Sequence, residues 1–457
     1  MHTLAQLRAG ALQGITRLQL REGLTAFPPE IFDLADTLEI LDLSGNQLTA
    51  LPDDLPRLHK LQVIFCSDNP FTELPEVLGQ CPRLTMVGFK ANRIRHVSAQ
   101  ALPPRMRWLI LTDNHIDTLP AELGHCTDLQ KLMLAGNRLS HLPDTMANLH
   151  QLALLRISAN QFTALPAWLL NLPRLSWLAF AGNPLCADLE ASALANAAAR
   201  AIDWTDLELQ ELLGEGASGL IYRANWQQPE THAAQAATQV AVKVFKGALT
   251  SDGLPLSEMA ASLHAGTHPN LVAVHAPVTH HPEGKQALAM PLVARQFQNL
   301  AGPPSLASCT RDVYAPDTRL TLPALLRLAH GVASAARHLH QCGLTHGDLY
   351  AHNILCTADG HALLGDFGAT GFFDPTHIDL AHALQRLEVC AFGHLLAELL
   401  AHGDTRHDSP KNTAICQALQ HLSDQCCNEV PHQRPLFTDI AAQLSRHLES
   451  STHQMSE

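Results

Sequence analysis

Apolar positions recur in a fixed register along the first 186 residues. One copy reads Leu38-x2-Leu41-x-Leu43-x2-Asn46-x-Leu48-x2-Leu51-Pro52. The Asn returns at Asn69, Asn92, Asn114, Asn137, Asn160 and Asn183, at spacings of 23, 23, 22, 23, 23 and 23 residues, and an earlier copy carries Gly23 in its place. Each of these eight copies predicts a short strand, a turn and a return segment too small to bury its own apolar face. Stacked neighbours must therefore share one core. The side chains that alternate with the buried leucines face the other side of the strands. Six residues before each Asn they read Arg17, Ile40, Val63, Met86, Trp108, Lys131, Leu154 and Trp177; four before, Gln19, Asp42, Phe65, Gly88, Ile110, Met133, Arg156 and Ala179.

This register resembles the leucine-rich repeat, L-x-x-L-x-L-x-x-N-x-L, over about residues 12–186. The resemblance implies that the Asn side chain sits inside the turn and satisfies backbone groups of adjacent copies. Phe65, Met86, Trp108, Ile110, Met133, Leu154 and Trp177 are then expected as an exposed apolar patch on the concave face. A patch of that kind suits a protein partner, or is covered by the second half of the chain or by a second copy of it. Met1 to Leu12 offers one cap. The Ala-rich stretch Ala187 to Ile202 reads as a helix that closes the other end or links onward.

From Trp204 the period breaks. Leu213-Gly214-Glu215-Gly216-Ala217-Ser218-Gly219 contains G-x-G-x-x-G, and Val240-Ala241-Val242-Lys243-Val244-Phe245 predicts a strand with one lysine in an apolar run. Glu258 lies in a helical stretch that could pair with it. Farther on come Thr345-His346-Gly347-Asp348-Leu349-Tyr350-Ala351-His352-Asn353, then Gly365-Asp366-Phe367-Gly368, then Pro431-His432-Gln433-Arg434-Pro435. In this order the motifs resemble the protein kinase signature set over about residues 205–447.

The resemblance implies a role for each residue. Gly214, Gly216 and Gly219 would let the backbone cover the triphosphate of ATP. Lys243, positioned by Glu258, would hold its phosphates. Asp366 and Asn353 would bind Mg²⁺, and Asp348 would orient the attacking hydroxyl. Met290 falls near the gatekeeper position, and Arg434 reads as a buried structural arginine. Four departures accompany the match. Gly347 stands where most kinases have Arg. Tyr350 replaces the catalytic-loop lysine, with His352 as a possible substitute. No Ala-Pro-Glu follows Asp366-Phe367-Gly368, and Glu388-Val389-Cys390-Ala391-Phe392-Gly393 resembles the start of the next helix after only 19 residues. Finally, Gln296 to Leu320 reads as a surface insertion.

The expected architecture is multidomain: an α/β leucine-rich-repeat solenoid (1–186), a cap or linker helix (187–203), a two-lobed α+β protein-kinase-like domain (204–450) and a tail (451–457). The expected function is ATP- and Mg²⁺-dependent, Ser/Thr-directed protein phosphorylation with the repeats docking a protein. A pseudokinase scaffold and a small-molecule kinase of the aminoglycoside phosphotransferase type are the alternatives.

Charge and composition narrow the partners. Residues 1–203 carry 16 Lys+Arg against 19 Asp+Glu, and residues 204–457 carry 14 against 24, so neither half has a basic nucleic-acid footprint. No apolar run approaches the roughly 20 residues of a membrane span, and no signal peptide is read at the N-terminus. The eleven cysteines show no metal-ligand spacing and read as reduced thiols. A cytoplasmic location follows as an expectation, with export into another cell left open, as is the oligomeric state.

Overall fold

The computed structural model describes residues 2–216, 218–227, 238–247, 249–404 and 410–452. Ala217 of the glycine motif and most of the expected tail lie outside them. The chain forms two compact units, Met1–Leu175 and Ser176–Glu457.

In the first unit a short helix, α1 (Leu4–Arg8), is followed by seven three-residue strands: β1 (Arg17–Gln19), β2 (Ile40–Asp42), β3 (Val63–Phe65), β4 (Met86–Gly88), β5 (Trp108–Ile110), β6 (Lys131–Met133) and β7 (Leu154–Arg156). They pair in parallel, in order, with a register shift of one repeat per strand. The return segments are mostly single 3₁₀ turns, which fit because the inward leucines need only a short crossover to reach the next strand. The residues six and four before each Asn are the first and third of each strand.

The repeat Asn residues from Asn46 to Asn160 work as the pattern implies. The Asn46 amide accepts from the N–H groups of Glu22 and Leu24 at 3.1 and 3.0 Å and donates to the carbonyls of Leu20 and Leu43 at 2.8 Å. One side chain thus satisfies backbone groups of two successive copies that would otherwise be buried unpaired. The residue before the Asn is left-handed, including the non-glycines Asp68, Ala91, Asp113 and Ala159 at φ 53–59°.

The second unit begins with the eighth repeat strand, β8 (Trp177–Ala179), then α2 (Ala187–Ala198) and β9 (Ile202–Asp203). Next come β10 (Leu207–Glu215), β11 (Gly219–Trp226), β12 (Thr238–Phe245), α3 (Pro255–His264), β13 (Ala276–Thr279) and β14 (Ala287–Pro291). These strands make a sheet of order β10-β11-β12-β14-β13-β9, antiparallel except for the last pair. Its core is Val240, Val242, Val244, Ala276, Val278, Ala287 and Ala289.

The helical lobe follows: β15 (Gln298–Asn299), α4 (Leu322–Gln341), β16 (Leu344–Thr345), β17 (Ile354–Cys356), β18 (Ala362–Leu364), β19 (Gly371–Phe372), α5 (Ile378–Ala401), α6 (Pro410–Cys426) and α7 (Phe437–Thr452). The helix expected to start at Glu388 has already run ten residues by then. Only residues 369–377 separate Gly368 from α5, because β19 pairs back onto β16 at once. Among the described residues no helix is long and apolar enough to cross a membrane.

Candidate active site

A cavity of about 930 Å³ lies between the sheet and the helical lobe of the second unit. It is lined by Gly214, Gly216, Gly219, Lys243, Glu258, Met290, Asn353 and Asp366. Residues from 214 to 366 are therefore gathered on one space. The β10–β11 hairpin forms its roof, closed by the Gly216 N–H to the Gly219 carbonyl at 2.9 Å. A Cβ on Gly219 would stand 2.8 Å from the Val244 carbonyl oxygen and 3.3 Å from the Lys243 side chain, so only glycine lets the lysine pass.

Lys243 projects from β12 and pairs with Glu258 of α3; both side chains are largely buried. Burial raises the Glu258 pKa; Lys243 pulls it down, while the charges of Asp366 and Asp252 add to the rise. The helix bearing Glu258 is braced from behind by α2. Leu194 and Ala197 pack with Met259, Leu263 and Phe245, and Glu190 accepts from Ser257 Oγ at 3.0 Å and from the Gly182 N–H at 2.8 Å. The stretch read as a cap or linker thus also positions the residue next to Glu258, which apolar periodicity could not reveal.

On the opposite wall Asn353 donates to Asp348 twice, to its carbonyl and to Oδ2, both at 2.9 Å. Its own amide oxygen is left as the donor atom for a cation. Asp366 adopts φ 60°, a left-handed conformation uncommon for aspartate, and its Oδ1 accepts the Gly368 N–H at 3.2 Å. Hard oxygen donors from Asp366 and Asn353, beside carboxylates that repel one another, suit Mg²⁺.

The catalytic-loop departures have structural causes. Gly347 has φ +72°, and a Cβ there would strike the Ala369 carbonyl oxygen and stand 2.8 Å from that of Leu178. Its N–H donates to Glu388 at 2.8 Å, and Glu388 also takes the His340 Nε2–H at 2.6 Å. Burial pushes the Glu388 pKa up, but the His340 hydrogen bond and charge, with those of His346 and Gly347, hold it below the usual range. Tyr350 is buried and stacked on Trp177, ring centroids 4.2 Å apart and planes 6° apart; the indole N–H donates to the Leu349 carbonyl at 3.1 Å. Arg434 is buried, as expected, and donates to the carbonyls of Asn428 and Arg386 at 2.9 and 3.0 Å.

The segment read as a surface insertion is more than that. Its Asp312, with a fully buried side chain, receives His352 Nδ1–H at 2.8 Å and the His352 backbone N–H at 3.0 Å. Burial favours neutral His352, but the Asp312 hydrogen bond and charge, with the charges of Asp348 and Asp366, outweigh it and raise its pKa. No motif points to Asp312, because it acts across 40 residues of chain.

The expected concave patch is corrected in part. Phe65, Trp108, Ile110 and Met133 are half-buried, with the Lys131 ammonium 4.7 Å from the Trp108 ring centroid. Met86, Leu154 and Trp177 are buried, not exposed. Side chains at equivalent positions of successive copies stand only about 4.8 Å apart and cover one another, and Trp177 is spent on Tyr350.

The model of the protein tyrosine and serine/threonine kinase family matches residues 207–389, and leucine-rich-repeat models match 37–58, 104–162 and 127–185. Curated relatives include fibroblast growth factor receptor 1 of Xenopus laevis, 25% identical over 291 residues, and that of Pleurodeles waltl, 25% identical over 293. Each alignment covers 54% of this chain and 35% of the receptor, so the chain spans about a third of the length of these relatives. With the motifs gathered on one cavity, these matches make the chain a leucine-rich-repeat protein carrying a protein kinase domain.

Proposed function

We propose that the chain is an ATP- and Mg²⁺-dependent protein kinase, Ser/Thr-directed, whose repeats dock a protein substrate or regulator. The observation that carries this reading is the convergence of Lys243, Glu258, Asn353 and Asp366 on one cavity of nucleotide size, with Asp348 hydrogen-bonded to Asn353 behind its wall. The glycine hairpin covers the phosphates, and Lys243 holds them, kept in place by Glu258. Asp366 and Asn353 hold Mg²⁺, which would neutralise charge on the phosphates. Asp348, oriented by Asn353, accepts the proton of the acceptor hydroxyl. His352, held by Asp312, takes over the cationic role that Tyr350 vacates. The matched family spans both tyrosine and Ser/Thr kinases, and Tyr350 stands where the Ser/Thr-type lysine would be, so phosphoamino-acid analysis of the product tests the hydroxyl preference.

The buried Tyr350 favours a second reading, a pseudokinase scaffold. Nucleotide binding without turnover in either Mg²⁺ or Mn²⁺ would support it over the first.

The docking role has its own test. A chain starting at Ser176 keeps β8 and α2, and we expect it to phosphorylate a free peptide like the full chain while losing its preference for a docked partner. A chain starting at Trp204 also loses Trp177, Glu190 and Ala197. Removing a buried Trp alone costs about 3–5 kcal/mol, so this shorter chain is expected to melt earlier and to transfer poorly to any acceptor. Equal behaviour of the two truncations in melting and peptide assays would refute the bracing role of β8 and α2.

A further inference from the structure

We infer that Cys390, His394 and Cys427 form a binding site for a thiophilic closed-shell cation, Zn²⁺, in the helical lobe. None of the three lines the nucleotide cavity, and among the described residues they are the group whose donor atoms all lie within 4.8 Å of one another.

The fold builds this triangle from two helices. Cys390 and His394 are one turn apart on α5 and so share a face. Cys427 follows α6 directly, its N–H bonded to the Ser423 carbonyl at 3.0 Å. Gly393 lets the end of α6 approach, since a Cβ there would stand 2.7 Å from Cys427 Sγ. Ser423 Oγ donates to the Gly393 carbonyl at 2.9 Å and pins the two helices at that point. The result is Cys427 Sγ at 3.7 Å from His394 Nδ1 and Cys390 Sγ at 3.9 Å from Nε2.

Zinc bonds of about 2.3 Å to sulfur and 2.0–2.1 Å to nitrogen, at a tetrahedral angle, place sulfur and nitrogen about 3.6 Å apart. The two sulfurs stand against different nitrogens of the ring, so binding through one nitrogen draws the other sulfur toward it, a shift that starts from donor atoms already within 4.8 Å of one another. Two sulfurs and one nitrogen without a carboxylate select a soft cation over Mg²⁺ or Ca²⁺. Each thiol releases its proton to solvent on binding. Three protein donors leave a fourth position for water. The His394 ring is held by stacking on Trp177, centroids 5.6 Å apart and planes 21° apart, which fixes its orientation without using either nitrogen.

The test uses the full-length chain, stripped of metal and kept reduced with a phosphine. Titration with Co²⁺ is expected to give the d–d bands of tetrahedral cobalt and a thiolate-to-cobalt charge-transfer band, saturating at one equivalent and abolished by Zn²⁺. Since one thiolate remains, Cys390→Ser and Cys427→Ser should each weaken cobalt binding and reduce the charge-transfer band. Cys426→Ser, at a buried neighbouring thiol outside the triangle, should keep it. Circular dichroism of each variant separates loss of ligand from loss of fold; should a serine variant misfold, His394→Gln replaces it. Absence of the band in wild type, its undiminished intensity and unchanged affinity in folded Cys390→Ser or Cys427→Ser, binding of Cu⁺ but not Co²⁺ or Zn²⁺, or a Cys390–Cys427 disulfide in the purified chain with no band after reduction would each overturn the assignment.

Discussion

Gly347→Arg, which restores the residue most kinases carry, will destabilise the kinase domain and not improve it. The backbone at 347 is left-handed, and holding a non-glycine residue there costs about 1–2 kcal/mol. The new Cβ meets two fixed carbonyl oxygens, those of Ala369 and Leu178, and forced displacement of packed backbone adds about 1–3 kcal/mol. The sum, roughly 3 kcal/mol, lowers the melting temperature of a domain this size by about 6–12 °C. Gly347→Ala carries nearly the whole effect, because the Cβ and not the guanidinium is at fault. A Gly347→Ala chain that melts with wild type would show that this close approach does not hold in solution. The same packing accounts for the missing arginine: the strand that ends the repeats occupies the space against the catalytic loop.

Lys243→Met and Asp366→Ala will each reduce phosphate transfer from ATP by about 10³-fold or more, since each removes a charge placed where negative charge shifts during transfer. The assay is transfer of labelled γ-phosphate to the chain itself or to a generic protein in Mg²⁺. Lys243→Met leaves Glu258 buried beside Asp366 without its cation, a site where burial already favours the protonated acid, so the variant should fold while failing to hold phosphate. His352→Ala is expected to have a smaller effect, about 10²-fold, because a second cation on the phosphates remains in Lys243. Transfer that survives both Lys243→Met and Asp366→Ala would overturn the roles given to these two residues. Wild type that is stabilised by ATP yet transfers nothing would move the reading to the pseudokinase scaffold, with Tyr350 and the nine-residue link to α5 as the features to pursue.

The repeat architecture and the residues of the cavity were legible in the chain itself. Leu41, Leu43 and Asn46 recur in register because each copy solves the same local problem, a strand that needs a neighbour and a turn whose amides need a partner. Gly219, Lys243, Asn353 and Asp366, which line one cavity, stand within short motifs of fixed residue types at close spacing, and spacing survives in one dimension.

What the tertiary structure alone decided is how distant segments use one another. Trp177 sits at a position that reads as an exposed binding anchor, yet it is stacked on Tyr350; alternation says which face a side chain takes, not what covers that face. Asp312 lies in a Pro- and Ser-rich stretch without a motif, and it orients His352 only because the chain doubles back. Cys390, His394 and Cys427 have no metal-ligand spacing, and they meet because Gly393 lets two helices touch. Local pattern follows from the propensity and burial of neighbouring residues, whereas these contacts follow from packing between elements far apart in sequence, which no periodicity encodes.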